Sequence, residues 1–227
     1  MTADELERSL AQAPRGTTDL VIERDLTTWL TDDPAAAAAF ALRQTDPFLR
    51  EVAVRTVAQR WAQTDPADAA RWAESLADAD ERDRALAHVA LSIADRSPRD
   101  ALDLLAGRAG DPQSDAARVG VVASWARRDF DAAQSWVEAQ PPGPTRDEIV
   151  QRLVVLRSYD DPQAAMSFAD RLIADDKLRR DAWAAVSQRW AARDPGLVRE
   201  WAISADAGTR RRIEAELAVA DHGAGSN

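Results

Sequence analysis

At 227 residues the chain is long enough for one large domain or two small ones, and a 45% apolar composition with 9 glycines and abundant alanine favours a helical globular fold. A formal net charge of −10 repels nucleic-acid phosphate and anionic lipid, and the absence of cysteine excludes a disulfide framework and a thiolate metal site. No run approaches the roughly 18 apolar residues of a membrane span, so neither nucleic acid nor membrane insertion is expected.

The first element, Met1 to Gly16, is acidic and amphipathic and lacks the basic and apolar blocks of a signal peptide. It reads as a polar capping helix within residues 1–17. The cytoplasm is the expected compartment, with the periplasm or the exterior left open if a leader has been removed.

From residue 18 the chain repeats itself, which decides the fold before any single helix is assigned. Pro34, Pro66, Pro98, Phe130, Pro162 and Pro195 are spaced by 32, 32, 32, 32 and 33 residues. Directly before them stand Asp33, Asp65, Ser97, Asp129, Asp161 and Asp194. Asp or Ser followed by Pro is an N-cap and first-turn pair: the side-chain oxygen accepts an orphan N–H, and proline sits where its missing donor costs nothing. Each anchor therefore opens a helix, here called B. Three residues on come Ala37, Ala69, Ala101, Ala133, Ala165 and Val198; six residues on come Phe40, Trp72, Leu104, Trp136, Phe168 and Trp201. A small and then a large residue on one face lets a neighbouring helix approach and lock.

Upstream, apolar residues at 12, 9, 8 and 5 positions before the anchor form the stripe of an amphipathic helix, here called A. The last slot holds Trp29, Trp61, Ile93, Trp125, Arg157 and Trp190. All eight tryptophans fall on these helices, and recurrence in register marks them as core residues. Residues 18–206 thus give six antiparallel hairpins, with the longest irregular stretch at Gln140 to Thr145. Residues 207–221, carrying Arg210, Arg211 and Arg212, read as a second capping helix, and 222–227 as a flexible tail. The expectation is an all-α single domain over 1–227, an α-solenoid of about fourteen helices with a 32-residue repeat.

Asp129-Phe130-Asp131-Ala132-Ala133, followed by Trp136, resembles the turn and second-helix start of a tetratricopeptide repeat, where an aromatic precedes an alanine by three residues. The likeness covers about residues 18 to 220. Helix A lacks that family's small residue at mid-helix, and the proline here opens helix B where the family's proline closes a repeat. The resemblance implies a right-handed superhelix with a concave groove lined by helix A that holds peptides or protein surfaces. No family peptide-end clamp transfers to this sequence.

Chemistry is sparse. The histidines are His88, inside a helix A, and His222, in the tail. Neither a nucleophile triad, a helical metal motif nor a glycine-rich phosphate loop is spaced here, so no catalytic, cofactor or metal residue is expected. Carboxylates with tryptophans are also features of helical-toroid glycosidases, but this chain is too short for that ring and has no long loops for a site.

Outward positions ten and six residues before each anchor define the candidate groove: Arg24, Thr56, Arg60, His88, Ser92, Ser124, Arg152 and Arg189, together with Thr28, Gly120, Leu156 and Ala185; Arg157, five residues before its anchor, is added to them. This floor is small in the middle and basic near both ends, which fits a protein or peptide carrying acidic groups. Arg50, Arg82, Arg146 and Arg179, each sixteen residues before an anchor, read either as a ladder for an acidic peptide or as inter-repeat salt bridges, with the salt bridges favoured. Arg157 occupies a tryptophan slot, so that slot is either open to solvent or supplied with Asp160 or Asp161. Two expectations follow: an adaptor or scaffold with a peptide-binding groove, or a structural spacer that assembles through its repeat ends. The polar caps favour a monomer and hence the adaptor.

Overall fold

Helix starts are where the sequence speaks most directly, and all six anchors open helices in the computed structural model, which describes residues 1–204 together with 210, 211 and 214. Thirteen α-helices and no strand lie among the described residues. The capping helix expected over 207–221 and the tail at 222–227 fall almost wholly outside them.

The N-terminal helix α1 (Ala3–Ala11) opens with a capping box between Thr2 and Glu5. The A helices are α2 (Thr18–Asp32), α4 (Pro47–Thr64), α6 (Ala79–Ile93), α8 (Pro112–Ala126), α10 (Pro144–Arg157) and α12 (Asp176–Arg193). The B helices are α3 (Pro34–Leu42), α5 (Pro66–Glu74), α7 (Pro98–Leu104), α9 (Phe130–Glu138), α11 (Pro162–Leu172) and α13 (Pro195–Ser204). At 7 to 11 residues, the B helices are too short to persist alone and depend on caps and packing.

The caps are in place. Asp33, Asp65, Asp129, Asp161 and Asp194 each accept the backbone N–H three residues on, at 2.9 to 3.0 Å. Ser97 makes no such bond. A second series, not read from the sequence, starts the A helices: Asp46, Asp78, Asp111 and Asp175 cap α4, α6, α8 and α12.

The contacts gather into two compact units, Met1–Ser124 and Trp125–Asn227. In the first, α2 packs on α4 and α4 on α6, so these A helices form a continuous layer; α3 and α5 lean on the A helices before and after them. In the second, α10 packs on α12, with α11 against both and α9 against α10. Within each unit, neighbouring hairpins thus stack in chain order, as in a helical-repeat solenoid.

The small slot of helix B is the tightest point of each hairpin: Ala37, Ala69, Ala101, Ala133, Ala165 and Val198 are all fully buried. In the five hairpins with alanine there, a longer side chain would push a helix outward. The A stripe is buried as well, including Ile22, Val57, Leu86, Val121, Leu153 and Val186. The tryptophans divide. Trp29, Trp125, Trp183 and Trp190 are buried, whereas Trp61, Trp72 and Trp136 are half-buried, a correction to their reading as uniform core. Trp61 and Trp72 pair across one hairpin with ring centroids 6.2 Å apart. In the large slot of helix B, Phe40 and Phe168 are buried, whereas the bulkier Trp72 and Trp136 are only half-enclosed. No described helix is long and apolar enough to cross a membrane.

The two cap types give a direct test. Asp65→Ala is expected to cost about 1 kcal/mol in urea denaturation, as for other lost side-chain caps, and Ser97→Ala to stay within about 0.5 kcal/mol, as for surface changes elsewhere. Equal losses would show that the bond to the Asp68 amide carries no stability.

Candidate functional site

Arginine placement decides what either unit presents to a partner, because most guanidinium groups are already engaged. Arg50 and Arg82, from the sixteen-residue ladder, donate to the Leu42 and Leu76 carbonyls at the end of the preceding B helix, the latter at 3.0 Å. Arg179 does the same to Ile173 at 2.8 Å, and Arg118, in the apolar stripe by sequence, to Leu105. These groups satisfy carbonyls that a helix end leaves unpaired and lie at the negative end of its dipole. The ladder is therefore a backbone-capping device. Only Arg50 also makes the inter-repeat salt bridge expected of it, holding both oxygens of Glu81 at 2.7 and 2.8 Å. Arg146 departs from the series: its Nε is buried without a partner.

In the first unit, the expected floor positions are exposed or half-buried except at Thr56. Thr56 is 4% exposed and gives its hydroxyl to the Val52 carbonyl, so it presents nothing to a ligand. Arg24 is exposed but is held by Asp25 at 2.7 Å and reaches Ser9 of α1, fastening the capping helix to α2. Asp25 stands in a slot that other hairpins fill with valine or leucine. Its burial alone would push its pKa up; hydrogen bonds from Arg24 and Ser9 outweigh that and hold the carboxyl below its usual range. Ser92 returns its hydroxyl to the His88 carbonyl, and Ser124 donates to Asp95 at 2.7 Å. Arg60 is exposed. Gly120 allows a close approach, since a Cβ there would lie 3.1 Å from Leu91 Cδ2.

Among these residues, the structure gathers His88 into a cleft between the N-terminal halves of α4 and α6, with Glu51, Arg55 and Arg84 beside it. Arg55 is paired with Glu23 one repeat earlier. The His88 imidazole lies 3.5 Å from the Gln59 amide. Burial first, and the Arg55 and Arg84 guanidinium groups after it, push His88 below its ordinary 6.5, against an opposing pull from Glu51.

The second unit concentrates a different set of groups. Arg189, a predicted groove residue, lies 4.4 Å above the Tyr159 ring and donates to the Ser158 hydroxyl at 2.7 Å and the Val155 carbonyl at 3.3 Å. Arg193 donates to the Tyr159 carbonyl at 2.8 Å. Around them a cleft of about 500 Å³ is bounded by Tyr159, Trp190 and Leu197. Tyr159 is 56% and Leu197 52% exposed, so a ring and an aliphatic side chain stand in water beside two cations. Tyr159, Arg193 and Leu197 were missed because they lie at the A–B turn, outside the positions chosen for the groove. The signal that could have found them is the pairing of aromatic and arginine at turn positions of consecutive hairpins. Arg152 is exposed on α10, and Leu156 and Ala185 are half-buried.

Arg157 is neither open nor held by Asp160 or Asp161. It is half-buried, with its guanidinium 5.3 Å from the centroid of Phe130, while Asp161 caps α11. The two irregular positions of the repeat, an arginine for tryptophan and a phenylalanine for proline, meet each other as a cation–π pair.

Among the described residues no group of three or more His, Asp or Glu is placed to hold a metal ion. No known protein family, curated protein or solved structure matches the chain.

Two measurements follow. In a double-mutant cycle of Phe130→Ala and Arg157→Leu, the pair is expected to show coupling of about 0.5 to 1 kcal/mol; strict additivity would mean the stacking contributes nothing.

His88 makes stability fall with acid. The unfolded chain takes up its proton near 6.5 and the folded chain only at lower pH, so the unfolded state binds more protons in that interval. The loss therefore begins as pH drops below about 6.5, ends below the folded pKa, and is absent at pH 8. His88→Gln should flatten this decline, and an NMR titration of His88 should show a midpoint below 6.5. A midpoint above that value would contradict the assigned environment.

Proposed function

We propose that this chain is a non-catalytic, tetratricopeptide-like adaptor of the cytoplasm, monomeric, that holds an acidic segment of another protein. The observation that carries this reading is the Tyr159–Arg189–Arg193–Leu197 cluster. Aromatic and arginine side chains are the residues that dominate binding energy at protein interfaces, and here exposed Tyr159 and Arg193 and half-buried Arg189 line one cleft. Each guanidinium is positioned by a backbone carbonyl, so its remaining N–H groups are pre-oriented for a carboxylate. Leu197 and Tyr159 supply apolar contact beside them. A ligand with an acidic group next to a large apolar side chain matches this set, and the chain's net charge of −10 works against nucleic acid.

Selection of a random peptide display library on the immobilised chain tests the proposal. Peptides combining acidic and apolar residues are expected, with binding that weakens as salt rises from about 50 to 300 mM. Tyr159→Ala and Leu197→Glu should each reduce affinity for a selected peptide at least tenfold while leaving the melting temperature within a few degrees. Selected peptides without acidic bias, or unchanged affinity in both variants, would overturn it.

A further inference from the structure

The B-helix side of the first unit carries a second surface of opposite character. Between α5 and α7 runs an open groove of about 750 Å³. Its apolar lining comes from Ala67 and Ala70 on α5, Ile93 at the end of α6, and Leu104 on α7. The alanines leave the groove unfilled where the A-helix layer is closed by direct packing of α4 on α6.

Charge decides what the groove can accept. Both arginines that line it are engaged: Arg96 donates to the Ala62 and Gln63 carbonyls at 3.2 and 3.1 Å, and Arg108 pairs with Asp83 at 3.0 Å. Its acids are not. Glu74, Asp100 and Asp103 are exposed along the groove, and no ion pair or side-chain hydrogen bond among the described residues reaches their carboxylates. Three uncommitted negative charges beside an apolar floor complement a segment with cations flanking an apolar stripe. The surrounding sequence reinforces this, with 21 acidic against 13 basic residues over positions 1–111.

We propose that this groove docks a basic amphipathic helix or short segment of a partner protein, its apolar side chains against Ala67, Ala70 and Leu104 and its cations against Glu74, Asp100 and Asp103. The nine residues of α5 make the groove about 13 Å long, so two to three helical turns of the partner fill it. This surface is independent of the Tyr159 cleft and stands whether or not that cleft binds acidic peptides.

The test uses fluorescence anisotropy on the full chain with three synthetic probes: a labelled 15-residue peptide with leucine at helical spacing and arginine elsewhere, a twin with glutamate for arginine, and a twin with serine for leucine. The arginine–leucine probe is expected to bind saturably and the other two at least tenfold more weakly. Glu74→Gln/Asp100→Asn/Asp103→Asn should weaken that binding at least tenfold. The control Asp4→Asn/Glu7→Gln/Asp131→Asn removes the same charge elsewhere and should change it less than twofold. Ala67→Trp, at an exposed position, should fill the groove and abolish binding with the circular-dichroism spectrum unchanged. Equal weakening by the control variant, equal binding of the serine probe, or unimpaired binding to Ala67→Trp would each overturn the proposal, because each shows only attraction to an acidic surface.

Discussion

Every helix ends in carbonyl groups that have no partner within it, and the thirteen helices among the described residues carry that deficit from turn to turn. Here the answer is the guanidinium group. At turns from helix B to helix A, Arg50, Arg82, Arg118 and Arg179 reach back to the last carbonyls of the B helix. At turns from A to B, Arg96 and Arg193 reach back one repeat to the end of the previous A helix. Aspartates close the opposite ends. Arginine suits this work, and Lys177 is the single lysine among 29 basic residues. A planar fork serves several acceptors at once, as Arg50 does with Leu42 and both oxygens of Glu81, whereas an ammonium group offers one compact charge.

The same economy of charge shapes the surfaces. Positive groups are largely committed to backbone and to neighbouring acids, so what remains for a partner is local. In the second unit it is two oriented arginines beside an exposed tyrosine; on the B-helix side of the first it is three carboxylates above alanines. The cleft at His88 differs again, because Arg50–Glu81 and Arg55–Glu23 already neutralise most of its charge.

What could be read from sequence was what local chemistry sets. An Asp-Pro pair fixes a helix start without help from the rest of the chain, and the residue three positions later must be small wherever two helices cross, so four of the six anchors are Asp-Pro and five of the six small slots are alanine. The groove positions depended on rotation about the helix axis, which packing from two neighbouring A helices settles. That is why Thr56 is enclosed while Arg24 and Arg60, in the same and the neighbouring slot, are exposed. The arginine ladder was visible as a periodicity, but its acceptors are backbone carbonyls, and a carbonyl leaves no mark in a sequence. The Arg157–Phe130 contact was hidden for another reason: each residue was judged against its own slot, and only the fold brings the two exceptions together.

Backbone acceptors have a consequence for how such an array changes over generations. A salt bridge between repeats requires two matching side chains, so exchanging one repeat for another breaks it. A guanidinium aimed at a main-chain oxygen finds its acceptor whatever residue supplies that oxygen. Hairpins joined by Arg82, Arg96 or Arg193 are therefore interchangeable parts in a way that hairpins joined through Arg157 and Phe130 are not. Duplication or deletion of a 32-residue block would preserve the former joints and orphan the latter, so a block boundary between the fourth and fifth hairpins carries the loss of the Arg157–Phe130 contact.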